Sequence, residues 1–182
     1  MALTRRHFAF IGGAGLAACT LPLGKVMAAV AAHTDAIGER LATVGRLERD
    51  KAFWRGKLSA ASYEVLFEED TERPFSSPLN DEKRAGTFLC AACYLPLFSS
   101  QDKFDSGTGW PSFTAPVSAS AIGKKRDFLL LIPRTEYHCA RCGGHQGHVF
   151  KDGPKPTGER WCNNGLGLRF VPADEALPAL RG

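Results

Sequence analysis

The chain has 182 residues, 44% hydrophobic and 23% charged, which suffices for one domain with its own core and excludes disorder throughout. Much of its net charge of +4 comes from Arg5, Arg6 and Lys25, in a first 28 residues that hold no Asp or Glu. The rest is near neutral, which argues against binding nucleic acid by neutralising phosphates.

The N-terminus, MALTRRHFAFIGGAGLAACTLPLGKVMAAVAA, has a charged start, an apolar middle and small residues after Lys25. That is the layout of a secretory signal, and the Arg5-Arg6 pair resembles a twin-arginine export signal. A membrane anchor is the competing reading. The run from Phe8 to Leu23 is rich in Gly, broken by Pro22, and short of the roughly 20 apolar residues a spanning helix needs. Cleavage is predicted after Val26-Met27-Ala28, making residues 1–28 a signal peptide. Leu16-Ala17-Ala18-Cys19 resembles a lipobox and would instead leave a lipidated Cys19. Either route predicts export to the periplasm or cell envelope.

Residues 29–54 read as a helical lead-in, with Leu41, Val44 and Leu47 at helical spacing. One short helix is predicted to end before Gly56 and a second to start after Leu58, capped by Ser59. From Tyr63 the pattern changes. The short apolar runs YEVLF, TFLC, DFLLLIP and GLRFVP alternate with Gly, Pro, Asn and Asp clusters, predicting a β-rich body from Tyr63 onward with long loops. Residues 173–182 read as a loose tail.

Two CxxC units, Cys90-Ala91-Ala92-Cys93 and Cys139-Ala140-Arg141-Cys142, stand in that body. Each can turn two sulfurs toward one ion, and together they make a four-thiolate site suited to one structural zinc per chain. Two disulfides, or one redox-active CxxC, are the alternatives in an oxidising compartment. Export after folding would let zinc bind in the reducing cytoplasm and protect the thiolates.

After the second pair come His145 and His148, each preceded by glycine. A metalloprotease would need HExxH, and the glutamate is absent. The imidazoles can instead supply protons near neutral pH, or simply make structural hydrogen bonds. Cys162 then stands without a CxxC partner, between Arg160 and the polar Asn163-Asn164-Gly165 turn. A lone cysteine can be a small buried hydrophobe. Here the nearby cation predicts a lowered thiol pKa. The turn-rich KDGPKPTGE between His148 and Cys162 predicts a hairpin-like return that pairs them as nucleophile and proton source.

Phe75, Gly86–Phe88 leading into Cys90, PLFSSQDKFDSGTGWPSF and CARCGGHQGHVFKDGPKPTGERWCNNGLGLRF together resemble the B-type peptide-methionine sulfoxide reductases, which act on the R epimer. The likeness covers roughly residues 55–172. It implies a mainly β fold of two antiparallel sheets with short N-terminal helices, stabilised by zinc. It implies that Cys162 attacks the sulfoxide sulfur and becomes a sulfenic acid, that His145 and His148 protonate the oxygen, and that Asn164 holds substrate or water. Trp110 would pack against the S-methyl group; a plain core aromatic is the competing reading.

Many members have a cysteine where Thr108 stands in Ser106-Gly107-Thr108-Gly109-Trp110. With six cysteines in all, one in the leader and four on zinc, none remains to resolve the sulfenic acid. An external, thioredoxin-like thiol donor is therefore expected. Gly165-Leu166-Gly167 also departs from the Ser-Ala-Ser often found there. The partners implied are oxidised proteins or peptides and the thiol donor, with the chain a monomer. Two other functions compete: a secreted zinc-stabilised binding module without catalysis, and an envelope disulfide oxidoreductase using CxxC.

Overall fold

In the computed structural model the described residues are 23–127 and 134–182. The twin arginines, Cys19 and most of the DFLLLIP run lie outside them. Three helices come first: α1 (Leu23–Ala42), α2 (Lys51–Arg55) and α3 (Ala60–Phe67). Asp50 caps α2 by accepting from Phe53 N, and Ser59 caps α3 by accepting from Ser62 N. Gly56 ends α2, as its position in the sequence predicts. α1 is 20 residues long and passes through Ala28 without a break. No helix among the described residues is long and apolar enough to cross a membrane.

The expectation of a strand at YEVLF is corrected: Tyr63–Phe67 lies inside α3. The capped start and the absence of Gly or Pro let the helix run. Its Tyr63 and Phe67, one turn apart, have ring centroids 5.8 Å apart, and Phe67 stacks on the α2 residue Trp54 at 5.4 Å.

Among the described residues, nine strands form two antiparallel sheets, as the mainly β reading expects. The smaller has the order β2 (Pro96–Ser99), β1 (Gly86–Cys90), β9 (Leu168–Pro172). The larger runs β3 (Lys103–Phe104), β4 (Ser112–Phe113), β8 (Arg160–Asn163), β7 (His145–Phe150), β6 (Arg134–Cys139), β5 (Ile122–Asp127). Aromatic side chains join them. Phe98 of β2 stacks on Phe113 of β4 at 4.3 Å, Phe88 of β1 meets Phe113 at 4.9 Å, and Tyr137 packs edge-on to Trp161 at 5.0 Å. All five are buried. Side chains alternate along a strand; with Trp161 turned into this core, its neighbour Cys162 is turned to the opposite face.

The tail is not loose. Arg181 donates its backbone N–H to Cys93 O at 3.1 Å, and Arg141 Nη1 donates to Arg181 O at 2.6 Å. One tail residue thus touches both CxxC turns. Upstream, Glu175 O takes a hydrogen bond with His33 Nδ1 at 2.9 Å, while His33 Nε2 meets Thr87 Oγ1 at 2.9 Å. The tail has bonding partners that its composition does not reveal.

Candidate active site

Four sulfurs gather where the two CxxC turns meet. The Sγ atoms of Cys90, Cys93, Cys139 and Cys142 all lie within 4.8 Å of one another. Cys90–Cys142 and Cys93–Cys139 are separated by 3.6 and 3.5 Å. Disulfide sulfurs would be about 2.05 Å apart, so all four are free. Tetrahedral zinc with bonds of about 2.3 Å places its sulfurs about 3.8 Å apart, and the cluster fits that. Burial pushes the Cys90 and Cys139 thiols well up; a divalent cation would supply the charge for all four to ionise together. Gln146 Nε2 donates to Cys90 Sγ at 3.5 Å, an outer contact of the kind that steadies metal thiolates.

The second cluster sits on the face of the larger sheet opposite the aromatic core. KDGPKPTGE turns the chain back, and β7 pairs with β8 so that His148 and Cys162 are Cα partners. Gly147 permits this spacing: a Cβ there would overlap the Cys162 carbonyl oxygen. On β6 the register steps from Tyr137↔Gly147 to His138↔His145, leaving Gln146 as the extra residue of a bulge. The bulge resets the alternation, so His145 and His148 face the same way, with ring centroids 5.6 Å apart.

A cleft of about 120 Å³ opens over Cys162, lined also by Thr71, Trp110, Arg134, His148, Phe150 and Asn164. Drug-sized ligands need about 300 Å³ or more; this space suits one side chain. His145 is not among its lining residues. It stands behind His148, 4% exposed, with Nδ1 2.9 Å from Glu136 Oε1 but outside hydrogen-bond alignment. His148 Nε2 donates to Asp127 Oδ2 at 2.8 Å, which leaves Nδ1 as the acceptor of a neutral ring. Burial holds its pKa below the ordinary range, against the upward pull of Asp127.

Trp110 closes one wall, its Nε1–H donating to Glu72 O at 3.1 Å. Asn164 is largely committed to the fold: Oδ1 accepts from Glu72 N at 3.1 Å, and Nδ2 donates to Gln146 O at 3.3 Å. One amide hydrogen remains for the cleft.

The expectation for Cys162 is corrected in sign. Burial raises its pKa, and Arg160 and the Thr108 hydroxyl only partly offset this. The reason is burial, which outweighs the nearby cation; Arg160 acts on the sulfur but shares its charge with Asp152, which pushes the thiol pKa slightly up. Arg160 Nε and Nη2 donate to Asp152 Oδ1 and Oδ2, both at 2.9 Å, and its guanidinium covers the Phe150 ring at 4.4 Å. Thr108 stands beside the sulfur, its hydroxyl 2.8 Å from Ser106 Oγ, which in turn lies 2.8 Å from Ser112 Oγ. Residues that sequence reasoning missed are Glu72, Asp127, Glu136 and Asp152. Only Asp152 left a usable signal: an acid placed opposite Arg160 across a Gly/Pro-rich turn.

The SelR domain family matches residues 58–172. Proteins named "Peptide methionine sulfoxide reductase MsrB" are similar along most of their length. That of Pseudomonas putida is 50% identical over 131 residues, covering 72% of this chain and 98% of the relative. That of Bradyrhizobium diazoefficiens is 52% identical over 119 residues, 65% of this chain and 86% of the relative. That of Methanosarcina barkeri is 46% identical over 129 residues, 71% of this chain and 91% of the relative. With its two sheets, its four-cysteine cluster and a match across most of its length, the chain belongs to the SelR family, that of the MsrB peptide methionine sulfoxide reductases.

Proposed function

We propose that the chain reduces the R epimer of protein-bound methionine sulfoxide to methionine, with Cys162 as nucleophile. The observation that carries this is the pairing of Cys162 with His148 at the base of a cleft sized for one side chain and walled by Trp110. Sulfoxide sulfur becomes electrophilic when its oxygen takes a proton. The neutral His148 is arranged to move that proton. With Nε2–H held by Asp127, Nδ1 takes the proton of the Cys162 thiol and passes it to the sulfoxide oxygen. The thiolate attacks sulfur, and the S–O bond is exchanged: the substrate leaves as a thioether and Cys162 carries the oxygen as sulfenic acid. Arg160 steadies the thiolate, and His145 supports His148 from behind. Trp110 receives the S-methyl group, and Asn164 offers its remaining amide hydrogen.

Two equivalents of an external thiol then return the sulfenic acid to thiol, releasing water and a disulfide. Thr108 beside Cys162 supports this route, because it cannot form the internal disulfide a cysteine would. A thioredoxin-like protein suits the task. One structural zinc per chain, held by Cys90, Cys93, Cys139 and Cys142, would stabilise the joint between the sheets and perform no step of the reaction. The reading extends to an exported monomer, with the leader Arg5-Arg6 signal removed after Ala28. The test is turnover of separated R and S epimers of a methionine sulfoxide peptide, with zinc measured on the same sample. Reduction of R alone is the expected result; turnover of S, or of neither, overturns the proposal.

A further inference from the structure

Glu72 lies outside every helix and strand, is 7% exposed, and has no place in the chemistry above. Yet its hydrogen bonds end on Trp110 and Asn164, which line the cleft, and on the turn that follows Asn164. Its carbonyl accepts from Trp110 Nε1 at 3.1 Å, and its backbone N–H donates to Asn164 Oδ1 at 3.1 Å. Its carboxylate takes two backbone N–H groups in the turn that follows Asn164: Gly165 N at 2.6 Å on Oε1 and Leu166 N at 2.9 Å on Oε2. The residue before it, Thr71, lines the cleft.

The turn is shaped to receive this arm. A Cβ on Gly165 would stand 2.6 Å from Ser77 Cβ, would overlap Ser77 Oγ, and would press on Glu72 Oε1 at 3.3 Å. Glycine at 165 therefore lets the segment carrying Glu72 and Ser77 seat directly against the chain leaving Cys162. A buried carboxylate with two N–H donors is a strong, directional fixture. It joins the backbone that holds the Trp110 ring to the backbone that holds the Asn164 amide.

We infer that Glu72 is a positioning residue, which sets the Trp110 wall and the Asn164 amide at fixed angles to Cys162 and so determines how closely the cleft fits the substituent on sulfur. The inference rests on reading the cleft as a sulfoxide site. Because Glu72 acts through Trp110, its loss should relax discrimination between sulfur substituents and not merely slow the reaction.

The experiment compares wild type with Glu72→Gln and Glu72→Asp, as full chains with zinc content verified. The substrates are one peptide carrying the R-sulfoxide of methionine or of its S-ethyl homologue. Gln keeps the size but turns an NH2 group against one of the two N–H donors. Glu72→Gln should lower kcat/KM for the methyl substrate by about tenfold or more, as small misplacements in active sites do. Its methyl-over-ethyl preference should fall at least about threefold, mainly through KM. Glu72→Asp, which keeps the charge, should recover part of both. Gly165→Ala, which crowds the same contact from the other side, should repeat the loss of preference and serves if Glu72→Gln fails to fold. An unchanged preference in these variants, or an equal loss on both substrates, overturns the inference. The indole N–H resonance of Trp110, assigned with Trp110→Phe, adds a readout independent of turnover and should exchange faster with solvent in Glu72→Gln. A wild type inactive on every sulfoxide would defeat the proposed function, while an undisturbed indole signal would defeat the role of Glu72.

Discussion

His148 and Cys162 are Cα partners on neighbouring strands, and the pairing continues as one row across the larger sheet: Lys125, Glu136, His148, Cys162 and Ser112. Directly opposed residues of an antiparallel pair have Cα atoms about 4.5–5.5 Å apart. The sheet thus holds thiol and imidazole in reach of each other through backbone bonds alone.

Replacing Cys162 with serine should abolish sulfoxide reduction and leave zinc content and the folded state intact. Mass spectrometry of wild type after one turnover without reductant should find one added oxygen at Cys162, trapped by a sulfenic-acid reagent, and no internal disulfide. A bond from Cys162 to a zinc cysteine would contradict the scheme.

The two histidines should separate kinetically. His148 lines the cleft and His145 does not. His148→Gln should lower kcat by about 10²- to 10⁴-fold, the range for loss of a proton-transfer group. His145→Gln should cost clearly less, and equal losses would assign the proton to both rings.

Burial raises the Cys162 pKa, so at neutral pH the free enzyme holds a thiol, and kcat/KM should climb as pH rises into the alkaline range. Arg160 pulls in the opposite sense; Arg160→Met should move that limb to higher pH. Each unit of movement lowers the thiolate fraction at neutral pH about tenfold. The same shift bears on stability. A folded pKa above the unfolded one gives a contribution present below the unfolded pKa and lost as pH rises through the folded value. Cys162→Ser should therefore flatten any alkaline loss of stability that this group causes. A pH profile in which Arg160→Met moves the limb downward would refute the assignment.

Truncation after Pro172 should weaken the metal site. Arg181 bonds to Cys93 and to Arg141, one residue in each CxxC turn. Without the tail, zinc should pass faster to a coloured chelator and the thermal midpoint should fall; an unchanged release rate would show the strap to be idle. Full removal of zinc should unfold the sheets' junction, since structural zinc is worth about 10–16 kcal/mol in zinc-finger peptides.

Which parts were legible in the sequence follows from what is local. Ser59 and Gly56 announce their helix ends because capping is decided by the next few residues. The hairpin joining His148 to Cys162 shows in its own turn residues. Tyr63–Phe67 misleads because its four apolar residues suit a strand or a buried helix, and it is the Ser59 cap and the stacking of Phe67 on Trp54 that favour the helix. The sign of the Cys162 shift needs the burial of its sulfur, a three-dimensional fact. Glu72 and Asn164 are far apart in sequence, and no pattern around either announces the other.

Gln146, the extra residue of the β7 bulge, has a hand in both halves of the molecule. Its side chain donates to Cys90 Sγ, while its carbonyl accepts from the Asn164 backbone at 2.9 Å. The residue that lets both imidazoles point one way is thus tethered to a sulfur of the four-cysteine cluster. An oxidant that disrupts this cluster would also slacken the joint that pairs His148 with Cys162. Repair would then fail through its geometry while its reactive sulfur was still sound.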